Sequence, residues 1–195
     1  MKHWRGFLIA VVVALVVAVP LLYSSHRQTT MRNFHVVEDG VLYRSGQLSP
    51  QAFEQVLDEN GIKTVVTLRT VRSDTLPFPD EFERHICEAR GIKHVRLLPL
   101  VWSADEKGEI PAEQNVEKFL KLMSDKSNGP VLVHCFAGIH RTGTMCAIYR
   151  MEAFHWSADR AILEMQTCGF DPAKDAGTRA LESYLRNYRP RWKKT

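Results

Sequence analysis

Short apolar runs alternate with segments of helical period through the middle of this chain, and that alternation restricts the fold more than any other feature. Val36-Val37 and Val41-Leu42-Tyr43 flank Asp39-Gly40, the pattern of a hairpin with a tight turn. Ser49 suits an N-cap with Pro50 at the first helical position; Phe53, Val56 and Leu57 follow at helical spacing, and Asn60-Gly61 closes the helix. Ile62 to Leu68 reads as a buried strand. Asp80 to Arg90 reads as a helix with Phe82 and Ile86 on its inner face, and Ile92 to Leu98 as a strand. Pro111 opens a helix that turns Val116, Phe119, Leu120 and Met123 inward. Val131–His134 is a short strand after Pro130, and helices follow near Thr142–Phe154, Ser157–Thr167 and Thr178–Tyr188. The alternation predicts an α/β fold, a central, mostly parallel sheet of about four to five strands flanked by helices. Ligands of such sheets bind outside the carboxyl ends of the strands.

The start of the chain has a different character. Phe7 to Tyr23 carries no charge, and Trp4, Tyr23 and Arg5 supply interfacial aromatics and a snorkelling cation. The segment predicts a single-pass transmembrane signal anchor over residues 1–25. A cleaved signal peptide is the competing reading, because Lys2 and Arg5 form a basic leader. The basic amino terminus leans toward the inside, which would put the globule outside the cytoplasm. Residues 26–33 are then expected to form a polar linker, 34–189 the main domain and 190–195 a basic tail.

The chemistry concentrates in VLVHCFAGIHRTGTM, Val131 to Met145. Cys135 follows a buried strand, Gly138 sits mid-loop where a backbone turn needs it, and Arg141-Thr142 opens a helix. A loop of this kind aims successive amides at one point, and the helix N-terminus adds partial positive charge. The amides of Phe136, Ala137, Gly138, Ile139, His140 and Arg141 make an anion site, and the Arg141 guanidinium grips two oxygens in a fork that lysine lacks. The same field favours a thiolate at Cys135. Attack by that thiolate on a bound phosphoryl group fits covalent catalysis, with Thr142 donating its hydroxyl to the sulfur when it leaves. His134 reads as a brace for the loop, hydrogen-bonded to backbone.

HCFAGIHRTG resembles the signature of protein tyrosine phosphatases: His-Cys, five residues, then Arg and Thr or Ser. VLYRSGQLSPQAF, GIKTVVTLR and PVLVHC, in this order, resemble the atypical dual-specificity type of plants, fungi and bacteria. The resemblance covers about Phe34 to Phe154 and implies a cysteine-phosphatase fold and hydrolysis of phosphomonoesters on phosphotyrosine or dual-specificity protein substrates. It also implies a general acid about thirty residues before the cysteine. Asp105 in PLVWSADEKGEIP fits that spacing, with Glu106 and Glu109 as rivals, although the loop lacks a Trp-Pro-Asp triplet. Trp102 is either the anchor of that loop or a packed aromatic. Arg69 either holds substrate or pairs with Asp74 or Glu81, and Arg44 reads as structural. The subfamily includes members acting on inositol phosphates; Ile139, where a lysine is often seen, weakens that alternative here. A phosphate-binding module without turnover is the second alternative.

Composition sets the remaining bounds. The chain has 195 residues and a formal net charge of +4, enough for one core plus an appendage. Four cysteines without paired spacing argue against a disulfide framework, and no zinc spacing or nucleic-acid stripe occurs. No cofactor or metal and no nucleic-acid partner are expected, and the chain is read as a monomer that meets the membrane through its first helix.

Overall fold

The structure is a computed structural model that describes residues 4, 12–20, 30–70, 78 and 80–193. Its centre is a five-stranded sheet made of β1 (His35–Glu38), β2 (Leu42–Ser45), β3 (Thr64–Thr67), β4 (Lys93–Arg96) and β5 (Val131–His134). The order is β1-β2-β5-β3-β4. Only the β1–β2 hairpin is antiparallel; β2, β5, β3 and β4 run parallel. The mostly parallel α/β sheet expected from the sequence is therefore present.

The helices are α1 (Pro50–Glu59), α2 (Glu81–Ala89), α3 (Glu113–Ser124), α4 (His140–Ala153), α5 (Ala158–Thr167) and α6 (Ala176–Asn187). Successive strand residues face opposite layers. Tyr43, Val65 and Leu132 pack with Phe53, Val56, Leu57 and Cys87 beneath α1 and α2. Leu42, Val66, Val131 and Val133 pack on the other side with Phe119, Met145, Ile148, Ile162 and Leu185 from α3 to α6. Each such side chain, fully buried, contributes about 1.5–3 kcal/mol relative to exposure. α4 lies inside its layer, with an unbroken buried run from Thr142 to Tyr149.

Local chemistry explains the element boundaries. The Ser49 hydroxyl accepts from the Ala52 amide to start α1, and Asp175 forms a capping box with Thr178 to start α6. α4 begins at His140, one residue before the expected start at Arg141.

Two expectations change. Phe7 to Tyr23 was expected to cross a membrane, yet among the described residues no helix is long and apolar enough to do so. Residues 12–20 of that segment are helical. The rest of the expected span lies outside the described residues. The localisation as a single-pass membrane protein, with its extracytoplasmic lean, is overturned. The second change is the tail. Arg191–Lys193 forms a short helical turn, the Trp192 indole donates to the Met151 carbonyl at 3.0 Å, and its ring lies 4.1 Å from that of His155. The segment packs on the end of α4, and only 194–195 fall outside the described residues.

Candidate active site

Three parallel strands end at one level. Ser45 of β2 and Thr67 of β3 are both in register with His134, the last residue of β5. The next five residues, Cys135 to Ile139, form the loop at that carboxyl edge and hand the chain to α4.

The loop is gripped from behind by its carbonyls. The Gln47 amide donates to Phe136 O at 2.9 Å. Asn33 Nδ2 donates to Gly138 O at 3.1 Å and to Ala137 O at 3.4 Å, and buried Arg44 donates to Gly138 O at 2.6 Å. In a trans peptide the N–H points opposite to the C=O. Tying these carbonyls outward therefore turns the amides of Ala137, Gly138 and Ile139 the other way, into the cradle. The Gly138 amide lies 3.3 Å from Cys135 Sγ. Gly138 adopts φ +71°, and a Cβ there would meet the backbone of Ser45 and Gly46 at 2.4–2.7 Å, so the turn requires glycine.

The surroundings of Cys135 favour its charged form. Burial pushes the thiol up, but the Thr142 hydroxyl and amide, the Arg141 charge and the Gly138 amide outweigh burial and bring it below the ordinary thiol range. At Cys87 and Cys146 burial is the largest influence, nearby charges do not offset it, and both are pushed up to about 12. Arg141 Nη1 donates to Leu68 O at 2.5 Å and to Thr70 Oγ1 at 3.0 Å. These bonds fix one edge of the guanidinium, and among the described residues its other donors have no hydrogen-bond partner. Phe136 is half exposed at the rim, with the Arg32 and Arg69 guanidinium carbons 4.3 and 4.8 Å from its ring centroid.

The sequence-derived set thus divides. Cys135, Phe136, Ala137, Gly138, Ile139, His140, Arg141 and Thr142 come together in one loop and helix start. His140 meets Phe170 edge-on at 6.0 Å, and burial and then Lys174 lower its pKa. His134 does not brace the loop as simply as expected: its buried Nε2 lies 3.0 Å from the buried Glu83 carboxylate. Asp105 is exposed and bonds within its own loop, where Oδ1 accepts from the Lys107 amide at 2.8 Å and the Glu109 amide at 2.9 Å. Trp102 packs edge-on against Tyr184 at 4.9 Å. Arg69 does not pair with Glu81, which Arg84 occupies, and Asp74 lies outside the described residues. Arg44 is buried and acts as a donor to the loop, a contact the sequence did not indicate.

Sequence reasoning missed Asn33, Gln47 and Glu83. Asn33 was assigned to a linker, and Glu83 was not singled out. Glu83 and Cys87, spaced by four, form the fully buried stripe of that helix.

A parallel α/β sheet bearing a thiolate-favouring Cys loop at its carboxyl edge, with an arginine at the following helix start, defines the architecture of a cysteine-dependent phosphatase. The family described as "DSP-PTPase phosphatase fused to NAD+ Kinase" matches residues 16–180. The chain belongs to this family, within the atypical dual-specificity phosphatases of the protein tyrosine phosphatase superfamily. It is 30% identical over 152 residues to inositol diphosphatase DSP2 of Oryza sativa subsp. japonica, covering 78% of this chain and 69% of that protein. It is 28% identical over 131 residues to tyrosine-protein phosphatase cdc-14 of Caenorhabditis elegans; that match covers 67% of this chain and spans only 16% of the relative. The crystal structure of TpbA from P. aeruginosa superposes with a TM-score of 0.60 at 25% identity, over 80% of this chain and 85% of that one.

Proposed function

We propose that the chain hydrolyses phosphomonoesters through a phosphocysteine intermediate on Cys135, with phosphotyrosine or dual-specificity protein substrates. The observation that carries this reading is the set of outward-tied carbonyls around a thiol whose charged form is favoured. The dianionic phosphoryl oxygens sit on the amides of the Phe136–Arg141 loop and on the free edge of Arg141. The Cys135 thiolate attacks phosphorus; the S–P bond forms as the ester P–O bond breaks. Asp105 gives the leaving oxygen its proton, so that an alcohol or phenol departs. Water then attacks phosphorus and returns a proton to the Asp105 carboxylate, and the sulfur leaves as a thiolate stabilised by the Thr142 hydroxyl. Asp105 Oδ2 is the oxygen for this task, since Oδ1 holds the turn.

A second reading has its own support. Arg32 and Arg69 beside Phe136 add cationic donors next to the loop, which suits a ligand with several phosphates, and the Oryza relative bears the name inositol diphosphatase. Turnover of aryl phosphate, phosphopeptides and inositol phosphates by the full chain separates the two. Loss of turnover in Cys135→Ser with retained vanadate binding supports the mechanism. Equal turnover in that variant refutes the nucleophile, and anion binding without turnover in the wild type reduces the site to a binding module.

A further inference from the structure

The buried charges below the loop have no part in the mechanism above. Glu83 is fully buried in the first turn of α2, where one carboxylate oxygen accepts from the Gln47 side-chain amide and the other lies 3.0 Å from His134 Nε2. His134 is itself 1% exposed and directly precedes Cys135. Asp80, also fully buried, faces Arg96 at 2.9 Å and His94 at 3.9 Å. Asp80, Glu83 and His94 converge closely enough to suggest a metal site. Asp80 Oδ1, Glu83 Oε2 and His94 Nε2 have no hydrogen-bond partner among the described residues, but Arg96 pairs with Asp80, the His134 ring lies 3.0 Å from Glu83, and the charge of Arg69 acts on both carboxylates. No net negative charge remains to draw in a divalent ion. The cluster reads instead as two ion pairs, one of which touches the nucleophile's neighbour.

We infer that Glu83 is a positioning residue for Cys135: from the first turn of α2 it holds the buried His134 ring as an imidazolium beside the thiolate. This rests on the reading of Cys135 as the nucleophile. An isolated imidazolium without a counterion would lose its proton on burial. Burial does lower His134, but the Glu83 charge and the contact with it, then the Cys135 charge, outweigh burial and leave the ring above its ordinary range. His94, which lacks so close a carboxylate, is lowered by burial despite Asp80. Coupling between two titrating groups is reciprocal. If the thiolate favours the imidazolium, the imidazolium favours the thiolate. The ion pair is neutral as a whole, but its positive end belongs to the residue next to Cys135. Replacing it with two neutral groups therefore removes a dipole that supports the sulfur.

The test is the rate of Cys135 alkylation by iodoacetamide as a function of pH, read by mass spectrometry independently of turnover. Glu83→Gln keeps the shape and the Gln47 contact. It should move the midpoint upward by about one unit, roughly tenfold less thiolate on the acid side. Asp80→Asn, which breaks the neighbouring pair, should leave the midpoint in place. In a His134→Asn background Glu83→Gln should add no shift. A folded Glu83→Gln protein with the wild-type midpoint, or an equal shift from Asp80→Asn, overturns the inference. If Glu83→Gln does not fold, the ring nitrogen shifts of His134 in the wild-type chain decide by NMR: a charged ring at neutral pH supports the inference, and a neutral ring overturns it. Undiminished turnover in Cys135→Ser would instead refute the nucleophile reading, whatever the alkylation shows.

Discussion

Gly138→Ala probes the geometry from which the site is built. The residue sits at φ +71°, and the added Cβ would lie 2.4 Å from Gly46 N, 2.6 Å from Ser45 C and 2.7 Å from Ser45 O. All three are backbone atoms of the β2 end, so no side-chain rotation relieves the contact. The left-handed conformation costs alanine about 1–2 kcal/mol. Overpacking against fixed backbone adds about 1–3 kcal/mol. The sum, roughly 2–5 kcal/mol, is a large share of a domain stability of about 5–15 kcal/mol. With a urea slope of about 1–3 kcal/mol/M, the unfolding midpoint should fall by on the order of 1–2 M. If the chain instead yields by moving the loop, the Gly138 amide leaves Cys135 Sγ and the carbonyl leaves Arg44 and Asn33. Vanadate affinity and Cys135 alkylation at neutral pH then both drop. A Gly138→Ala chain with wild-type urea midpoint and wild-type vanadate affinity would show that the close approach of loop and β2 is not real.

Three further outcomes are expected. Asp105→Asn keeps an acceptor for the Lys107 and Glu109 amides, so the loop should stay folded while turnover of poor leaving groups falls about 10²–10⁴-fold; a larger loss in Glu106→Gln or Glu109→Gln would reassign the acid. In a Cys168→Ser background, iodoacetamide at neutral pH should label Cys135 well before Cys87 or Cys146, whose thiols burial pushes up to about 12, and first labelling of either buried thiol contradicts the electrostatic account. The His134–Glu83 pair also sets a pH dependence of stability. Its raised His134 pKa means that the folded state holds more protons than the unfolded one between the two values. Its contribution is complete below the ordinary imidazole range and declines as pH rises through the folded pKa. The stability gap between wild type and Glu83→Gln should therefore shrink from pH 6 toward alkaline pH in urea titrations, and a gap that widens would reverse the assigned charge state.

What the sequence disclosed follows from how locally each feature is encoded. The strand-loop-helix around Cys135 is contiguous, so residue spacing alone brings Cys135 to Thr142 into one cradle. The sheet class was readable because β3 (TVVT) and β5 (VLVH) are short strands rich in β-branched and aliphatic residues, buried on both faces. Asn33 and Gln47 were not readable as part of the site: their contacts reach 105 and 89 positions along the chain, to Gly138 and Phe136, and arise only once β2 lies beside β5. Glu83 was hidden by its charge. One face of α2 was read from Phe82 and Ile86, and Glu83 was passed over, because nothing local announces the buried imidazole beside it. The amino-terminal segment misled for the opposite reason. Its hydropathy is strong, but among the described residues no helix is long and apolar enough to cross a membrane.

The account turns on Cys135 taking the phosphoryl group. Mixing the full chain with an excess of aryl phosphate, quenching in acid within one turnover and mapping the modified peptide by mass spectrometry tests this directly. One phosphoryl group on the peptide holding Cys135, absent from Cys135→Ser and accumulating in a variant slow to hydrolyse it, is the predicted result. Phosphoryl transfer to another residue, or turnover with no covalent species even when hydrolysis is slowed, would contradict it.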